Sequence, residues 1–265
     1  MNVSITIPIC KPNEDILKEI EKAISEQKYN GKIEIIKSEG GGLAHNMNEG
    51  IKRAKYEIVV TLHQDSIPSD RYWLKKLIKP FDNKNVVASV SKVHLPEELW
   101  NKFDIFAKAL TIREKGIITP LMDEKGCAYR KKILESAGFF DEKNFRTAGE
   151  DLDMYLKLKT YGIIAYPDCK VIHMHQTNFK NRLKKTYQNA NGYGTIFRMQ
   201  GRKLNRWYLG ASKAIPILGI LSFIFSYPFR KSIILYLPYF IATPILHIIY
   251  SYGFWKGFLM KKQTV

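Results

Sequence analysis

Apolar residues change their spacing along this chain in a regular way. Residues 3–9 alternate β-branched and small polar side chains, a spacing of two that predicts a buried first strand closed by Pro8 and Pro12. Residues 14–27 carry Ile16, Ile20, Ala23 and Ile24 at helical spacing. Residues 32–37 predict a second strand, and Gly40, Gly41 and Gly42 a loop. A helix follows over 43–54 with Leu43, Met47, Gly50 and Ile51 on one side. Residues 57–62 form a third apolar run that ends at His63-Gln64-Asp65. A further helix is predicted over 72–81 and a further strand over 86–92. Helices alternating with apolar strands predict an α/β fold, a mainly parallel sheet flanked by helices. Ligands of such sheets bind beyond the carboxyl ends of the strands.

Composition narrows the class. The 265 residues are 45% hydrophobic and 12% aromatic, a globular composition rather than a disordered one. Seventeen glycines and three cysteines exclude collagen-like and disulfide-scaffold chains. Cys10, Cys127 and Cys169 lie far apart without a C-x-x-C, which suits a reducing compartment and gives no zinc knuckle.

Charge divides the chain unevenly. The net charge is +17, yet Asp168 is the last acid, and residues 169–265 hold 15 of the 42 bases with no Asp or Glu. A basic tail calls for an anionic partner, nucleic acid or membrane. Apolar runs in the same tail favour the membrane. Residues 214–229 and 232–255 carry no Asp, Glu, Lys or Arg and are separated by Arg230 and Lys231. As a helix the second run would reach about 36 Å, enough for a ~30 Å hydrocarbon core, and the first about 24 Å. Pro216, Pro228, Pro238 and Pro244 interrupt them, so a tight hairpin in the membrane and a helix pair lying at its interface both fit, as does a buried hairpin of a soluble domain. Lys203, Arg206 and Lys213 before the runs and Lys256, Lys261 and Lys262 after them predict cytoplasmic flanks at the cell membrane. The opening residues do not read as a signal peptide.

Three constellations carry candidate chemistry. Asp65 stands where a buried strand leaves the sheet, a place from which a carboxylate can hold a hard divalent cation against a diphosphate, or simply cap a turn. Glu150 and Asp151 open an amphipathic helix, as caps or as a general base near an acceptor hydroxyl. In residues 171–175 a period of two turns His173 and His175 to one face, which suits a metal or phosphate site.

Together these segments resemble family 2 glycosyltransferases of the GT-A fold over about residues 1–180. Residues 3–9 resemble the family's first strand. Met47-Asn48-Glu49-Gly50-Ile51-Lys52-Arg53-Ala54 resembles its N-x-G-I-x-x-A helix. Leu62-His63-Gln64-Asp65-Ser66 resembles its D-x-D segment, Ser136 to Glu142 its x-x-G-x-F-D-E, and Gly149 to Met154 its x-E-D-x-D-L. Tyr166-Pro167 followed by His173 resembles x-P-x-x-x-x-x-H. Two positions depart: His63 replaces the first Asp of D-x-D, and Lys11 replaces the Asn of I-P-x-x-N.

The resemblance implies a GT-A catalytic domain at 1–180, a basic juxtamembrane segment at 181–210, and a C-terminal apolar helical hairpin at 211–265. It implies an inverting transferase that moves a sugar from a nucleotide-diphospho-sugar to a sugar or a polyprenyl- or lipid-linked acceptor. Asp151 would be the base and Glu150 its helper. Asp65 with His173 or His175 would bind Mg²⁺ or Mn²⁺, His173 filling the family position. Pro8, Glu39, Asn48, His63 and Gln64 would meet the donor. Lys180, Arg182, Lys184 and Lys185 would face the diphosphate or anionic lipid head groups. A nucleotidyltransferase would need a Gly-rich basic loop after the first strand, which residues 9–14 do not supply. A non-catalytic nucleic-acid binder is disfavoured by a near-neutral body and by the absence of an aromatic–basic stacking motif, so no nucleic-acid partner is expected.

Overall fold

The structure is a computed structural model. It describes residues 1–145, 148–175, 177–201, 204 and 207–260. The chain divides into two compact units. The first comprises 1–96, 116–142 and 150–175, and the second 97–115, 143–149 and 176–265.

The first unit is built on a six-stranded sheet. Its strands are β1 (Val3–Pro8), β2 (Ile33–Ser38), β3 (Ile58–Thr61), β5 (Val86–Val90), β8 (Cys127–Arg130) and β9 (Ile163–Ala165), in the order β2-β1-β3-β8-β5-β9. β1 lies parallel to β2 and β3, and β5 parallel to β9, while β8 runs antiparallel to both of its neighbours. A smaller sheet joins β4 (Ser66–Pro68), β10 (Lys170–His173), β6 (Lys92–Leu95) and β7 (Gly116–Ile118) in that order. The apolar run expected as one strand over 86–92 thus ends at Val90, and Lys92 begins another strand in the second sheet.

The period of two sorts β3 between two cores. Ile58 and Val60 face one side, where they meet Val3, Ile5 and Ile7 of β1 and the helices α1 (Glu14–Ser25) and α3 (Trp73–Ile78). Val59 faces the other, with Met47 and Ile51 of α2 (Leu43–Arg53), Leu134 of α6 (Lys131–Ser136) and Met154 and Leu158 of α7 (Glu150–Leu158). Asn13 caps α1, accepting from the amides of Asp15 and Ile16 at 3.0 and 3.3 Å, and Glu14 and Asp15 complement the dipole. α2 lies close on β1 through Gly50, where an added Cβ would stand 2.9 Å from Thr6 Cβ and 3.1 Å from Ser38 Oγ.

The second unit is helical: α4 (Glu97–Asn101), α5 (Ile105–Thr111), α8 (Phe179–Gln200), α9 (Trp207–Ser212), α10 (Leu218–Phe225) and α11 (Tyr236–Leu259). The expected apolar hairpin takes another form. The first apolar run yields only the eight residues of α10, and α11 packs chiefly on α8 rather than on α10. Small residues allow that contact. A Cβ on Gly253 would stand 2.7 Å from the Tyr187 carbonyl, and one on Gly257 would collide with the Asn191 carbonyl. Thr195 Oγ1 donates to the Gly257 carbonyl at 3.2 Å. Arg182, expected to face a diphosphate or lipid, is paired with Glu114 at 2.7 Å.

Among the described residues no helix is long and apolar enough to cross a membrane. α11 has the length but carries Tyr239, Thr243, His247, Tyr250 and Ser251, and α10 is about 12 Å long. Of the forms that the sequence left open, a membrane-spanning helix is not found among the described residues. Large apolar side chains are exposed all the same: Ile217 (78%), Phe225 (80%), Ile233 (75%) and Ile234 (81%).

Gly50→Ala should destabilise the protein by about 1–3 kcal/mol, because backbone and Thr6 must part to admit one methyl group. A melting curve in which the variant matches the wild type would show that α2 can lift without cost.

Candidate functional site

The carboxyl edge of β1, β2 and β3 gathers the polar residues. Past β3 the chain turns through His63, Gln64 and Asp65 before β4 begins. β4 pairs antiparallel with β10, with Ser66 opposite His173. This register places the end of β10 beside Asp65, and the Met174 amide donates to the Asp65 carbonyl at 2.8 Å.

Asp65 is the electrostatic centre. Its Oδ2 lies 3.4 Å from His173 Nε2 and 3.7 Å from His175 Nδ1. The two rings stack with centroids 5.7 Å apart and planes 10° from parallel, so the period-of-two expectation holds although β10 ends at His173. Burial alone would raise the Asp65 carboxyl. The imidazoles of His173, His63 and His175 outweigh that and hold it well below the usual carboxylate range. His173 is both nearer to Asp65 and less exposed than His175.

His63 has the opposite balance. Burial first, and then the Lys125 charge, push its imidazole down to about 4, against the pull of Asp65 and Asp123. It is neutral near pH 7, and its Nε2 is buried without a hydrogen-bond partner. A neutral imidazole nitrogen can donate or accept a hydrogen bond, whereas an ionised aspartate only accepts.

The other expected donor contacts divide. Gln64 clasps the backbone of Cys10, accepting from its amide at 2.6 Å and donating to its carbonyl at 2.7 Å. Both polar ends are spent on shaping the loop after β1. Asn48 is buried and exchanges two hydrogen bonds with Phe140, donating at 2.8 Å and accepting at 3.0 Å, so it fastens α2 to the segment after α6 rather than facing a donor. Pro8 ends β1, buried, and Glu39 follows β2, exposed. Asn46, two residues before it, holds the loop after β1. Its amide nitrogen donates to the carbonyls of Ile9 and Gly41, and its oxygen accepts from the Gly41 amide. Lys11 sits in this clasped loop at φ +50°, the left-handed region that Asn tolerates better than Lys, which accounts physically for the residue type it replaces.

Asp151 lies in the first turn of α7, half-buried, with Oδ1 accepting from the Leu152 amide at 2.7 Å. Glu150 is buried. Asp153 is buried beside Lys157 Nζ at 2.7 Å, a structural pairing inside the fold.

A residue that the pattern did not announce is Glu124. Because β8 runs antiparallel, the segment that enters it, residues 121–126, lies at the edge where β3 leaves. Glu124 takes φ +58° there and is fully buried. It accepts from Thr61 Oγ1 at 2.7 Å and from Tyr129 OH at 2.5 Å. Burial raises its carboxyl to about 8. The two hydrogen bonds oppose the rise, and the charges of Asp151 and Asp123 add to it. Glu124 thus links the Asp65 end of the site, through Asp123 and Lys125 near His63, to the Asp151 end. The acidic-basic cluster Asp123-Glu124-Lys125 before an apolar strand was its one sequence signal.

The folded protein holds the Glu124 proton above the pH at which the unfolded chain, near 4.5, gives it up. The native state binds more protons than the unfolded state between those values, so this contribution to stability is full below about pH 4.5 and is lost as pH rises towards 8. Glu124→Gln, which mimics the protonated acid, should flatten that part of the stability–pH curve. Melting curves from pH 5 to 8 with equal slopes in both proteins would show that Glu124 ionises freely.

No curated protein matches the sequence. Among solved structures, the mannosyltransferase PcManGT from Pyrobaculum calidifontis, in complex with GDP-Man and Mn²⁺, matches over 96% of this chain and 87% of its own at 13% identity, TM-score 0.60. GalNAc-T7 with UDP, GalNAc and Mn²⁺ matches over 81% of this chain and 51% of its own at 11% identity, TM-score 0.55. A mycobacterial protein matches over 74% of each chain at 15% identity, TM-score 0.55. These likenesses show the fold. The family model described as glycosyl transferase family 2 matches residues 12–138. That segment belongs to glycosyl transferase family 2, and the chain is a glycosyltransferase on a GT-A fold.

Proposed function

We propose that the chain is an inverting, metal-assisted glycosyltransferase that works at the cytoplasmic face of the cell membrane on a hydroxyl of a sugar or lipid-linked acceptor. The observation that carries this reading is the Asp65 carboxylate set against two imidazoles at the strand edge, in the same loop cluster as Glu124 and Asp151.

Among the described residues no group of three or more His, Cys, Asp or Glu is arranged to hold a metal ion. One carboxylate and one imidazole fit a cation that takes its remaining ligands from diphosphate oxygens and water. Asp65 and His173 would hold it, with His175 beside them. Bound Mg²⁺ or Mn²⁺ would supply neutralising charge to the departing diphosphate.

The protein's own groups do the rest. His63, kept neutral by burial, stands beside Asp65 without adding charge to it. Gln64 and Asn46 hold the loop after β1 in place, so the nucleotide meets a fixed wall. Asp151 accepts the proton of the acceptor hydroxyl as that oxygen bonds to the anomeric carbon, while the bond from carbon to diphosphate breaks on the far side. A single displacement of this kind inverts the anomeric centre. Glu124 stays protonated near pH 7, so it adds no second negative charge beside Asp151. The helical unit's exposed apolar side chains, with a tail that lacks acids, support an interfacial seat on anionic lipid.

Thermal shift with UDP, GDP and dTDP sugars, with and without Mn²⁺, should give a metal-dependent shift for one donor. Asp65→Ala should abolish that dependence while the protein still folds. An unaltered metal dependence in Asp65→Ala would overturn the metal assignment.

Asp151→Asn keeps an oxygen for the Leu152 amide and should bind donor normally, yet lose about 10²–10⁴ in transfer rate. Asp153→Asn should lower the melting temperature more than it lowers turnover, since Asp153 is paired inside the fold. Near wild-type turnover by Asp151→Asn would leave Asp151 as a helix cap and place the base elsewhere.

A further inference from the structure

The helical unit contains a cavity whose chemistry differs from that of the Asp65 site. Its volume is about 160 Å³, room for roughly five waters at ~30 Å³ each. Arg113, Lys213, Thr186 and Ser226 supply its polar lining, and Phe223 and Leu246 are among its apolar walls. No acid lines it.

Its two cations are incompletely used. Arg113 donates to the Ser226 carbonyl, and neither Arg113 nor Lys213 forms an ion pair with a carboxylate among the described residues. Lys213 Nζ lies over the Phe223 ring, 5.1 Å from its centroid. Burial, with the Arg113 charge beside it, lowers the Lys213 ammonium from its usual value. Two like charges kept together beside apolar walls cost free energy unless an anion joins them. The nearest acid in sequence, Glu114, is already taken by Arg182.

The surroundings select the kind of anion. Phe225 and Phe229 flank the lining residues Phe223, Ser226 and Pro228, and Ile217 and Leu218 begin the same helical stretch; all four are exposed. A free inorganic anion would leave these side chains in water, whereas a lipid would cover them.

We propose that this cavity holds the phosphate head of a lipid, with Arg113 and Lys213 on the phosphate and the hydrocarbon chain laid over Ile217, Leu218, Phe225 and Phe229. The proposal deepens the membrane-surface reading and rests on it for its setting. It makes no use of donor binding or transfer, so a failed donor screen and a failed lipid titration are separate results.

The test uses full-length protein in uncharged maltoside micelles and calorimetric titration with dodecyl phosphate, dodecanol and inorganic phosphate. Saturable one-to-one binding is expected for dodecyl phosphate alone. At about a fivefold loss per cation near a lipid phosphate, Arg113→Gln with Lys213→Gln should bind about 25-fold more weakly. Lys213→Arg should restore binding when Arg113 is kept, and circular dichroism melting checks that each variant folds. Arg230→Gln with Lys231→Gln removes the same charge from exposed positions and should change affinity less than twofold. Equal binding of inorganic phosphate, equal binding of dodecanol, no binding of dodecyl phosphate, or an equal loss in the Arg230 and Lys231 variant would each overturn the proposal.

Discussion

A carboxylate taken out of water must be given positive charge, and Asp65 is the place where this fold meets that requirement. Burial opposes its ionisation, and the imidazoles at the end of β10 overcome the opposition. The second sheet brings those imidazoles there. Without the antiparallel pairing of β4 with β10, His173 would have no fixed position against Asp65. The small sheet therefore acts as the frame of the site, and the large sheet as its floor. His63, beside the same carboxylate, is kept neutral by burial and Lys125, so the cluster does not accumulate charge it cannot neutralise.

Much of the first unit was legible in the chain. The period of two in residues 3–9, the apolar run of 57–62 and the helical spacing of 14–27 and 43–54 reappear as β1, β3, α1 and α2 with edges moved by one or two residues. The position of Asp65 past an apolar strand and the shared face of His173 and His175 were legible from the strand pattern. Gln64 and Asn48 were expected as donor contacts from the family resemblance, while their partners, the Cys10 backbone and Phe140, lie 54 and 92 residues away in the chain. No local pattern reports bonds of that separation. Glu124 was missed for a related reason. Its place depends on β8 running against its neighbours, and strand direction is set by connections across the whole sheet rather than by periodicity.

The tail shows where composition misleads. An uncharged run of 24 residues has the length of a membrane helix, but Tyr, Thr, His and Ser spaced along α11 give it protein-facing hydrogen bonds. Tyr239 OH donates to the Phe223 carbonyl at 3.0 Å and Tyr250 OH to the Gly210 carbonyl at 3.1 Å, while Thr243 bonds back to Tyr239 within α11. Counting charges cannot distinguish a helix that needs lipid from one that needs other helices. Both descriptions apply to α11, since Leu237, Ile241, Ile248 and Leu259 remain exposed on it.

The glycine contact between α8 and α11 bears on how this chain can be shortened. Gly253 and Gly257 bring the α11 backbone down onto the carbonyls of Tyr187 and Asn191, and α5 packs on the same pair. A cut placed before α9 to shed the apolar tail would strip α8 of its partner and lay bare Ala190, Gly194, Thr195 and Ile196, residues now buried. Such a fragment would exchange one sticky surface for another. The useful boundary for a shorter protein lies outside this helical pair, and solubility is better sought by replacing the exposed Ile233, Ile234 and Phe225 with polar residues than by deletion.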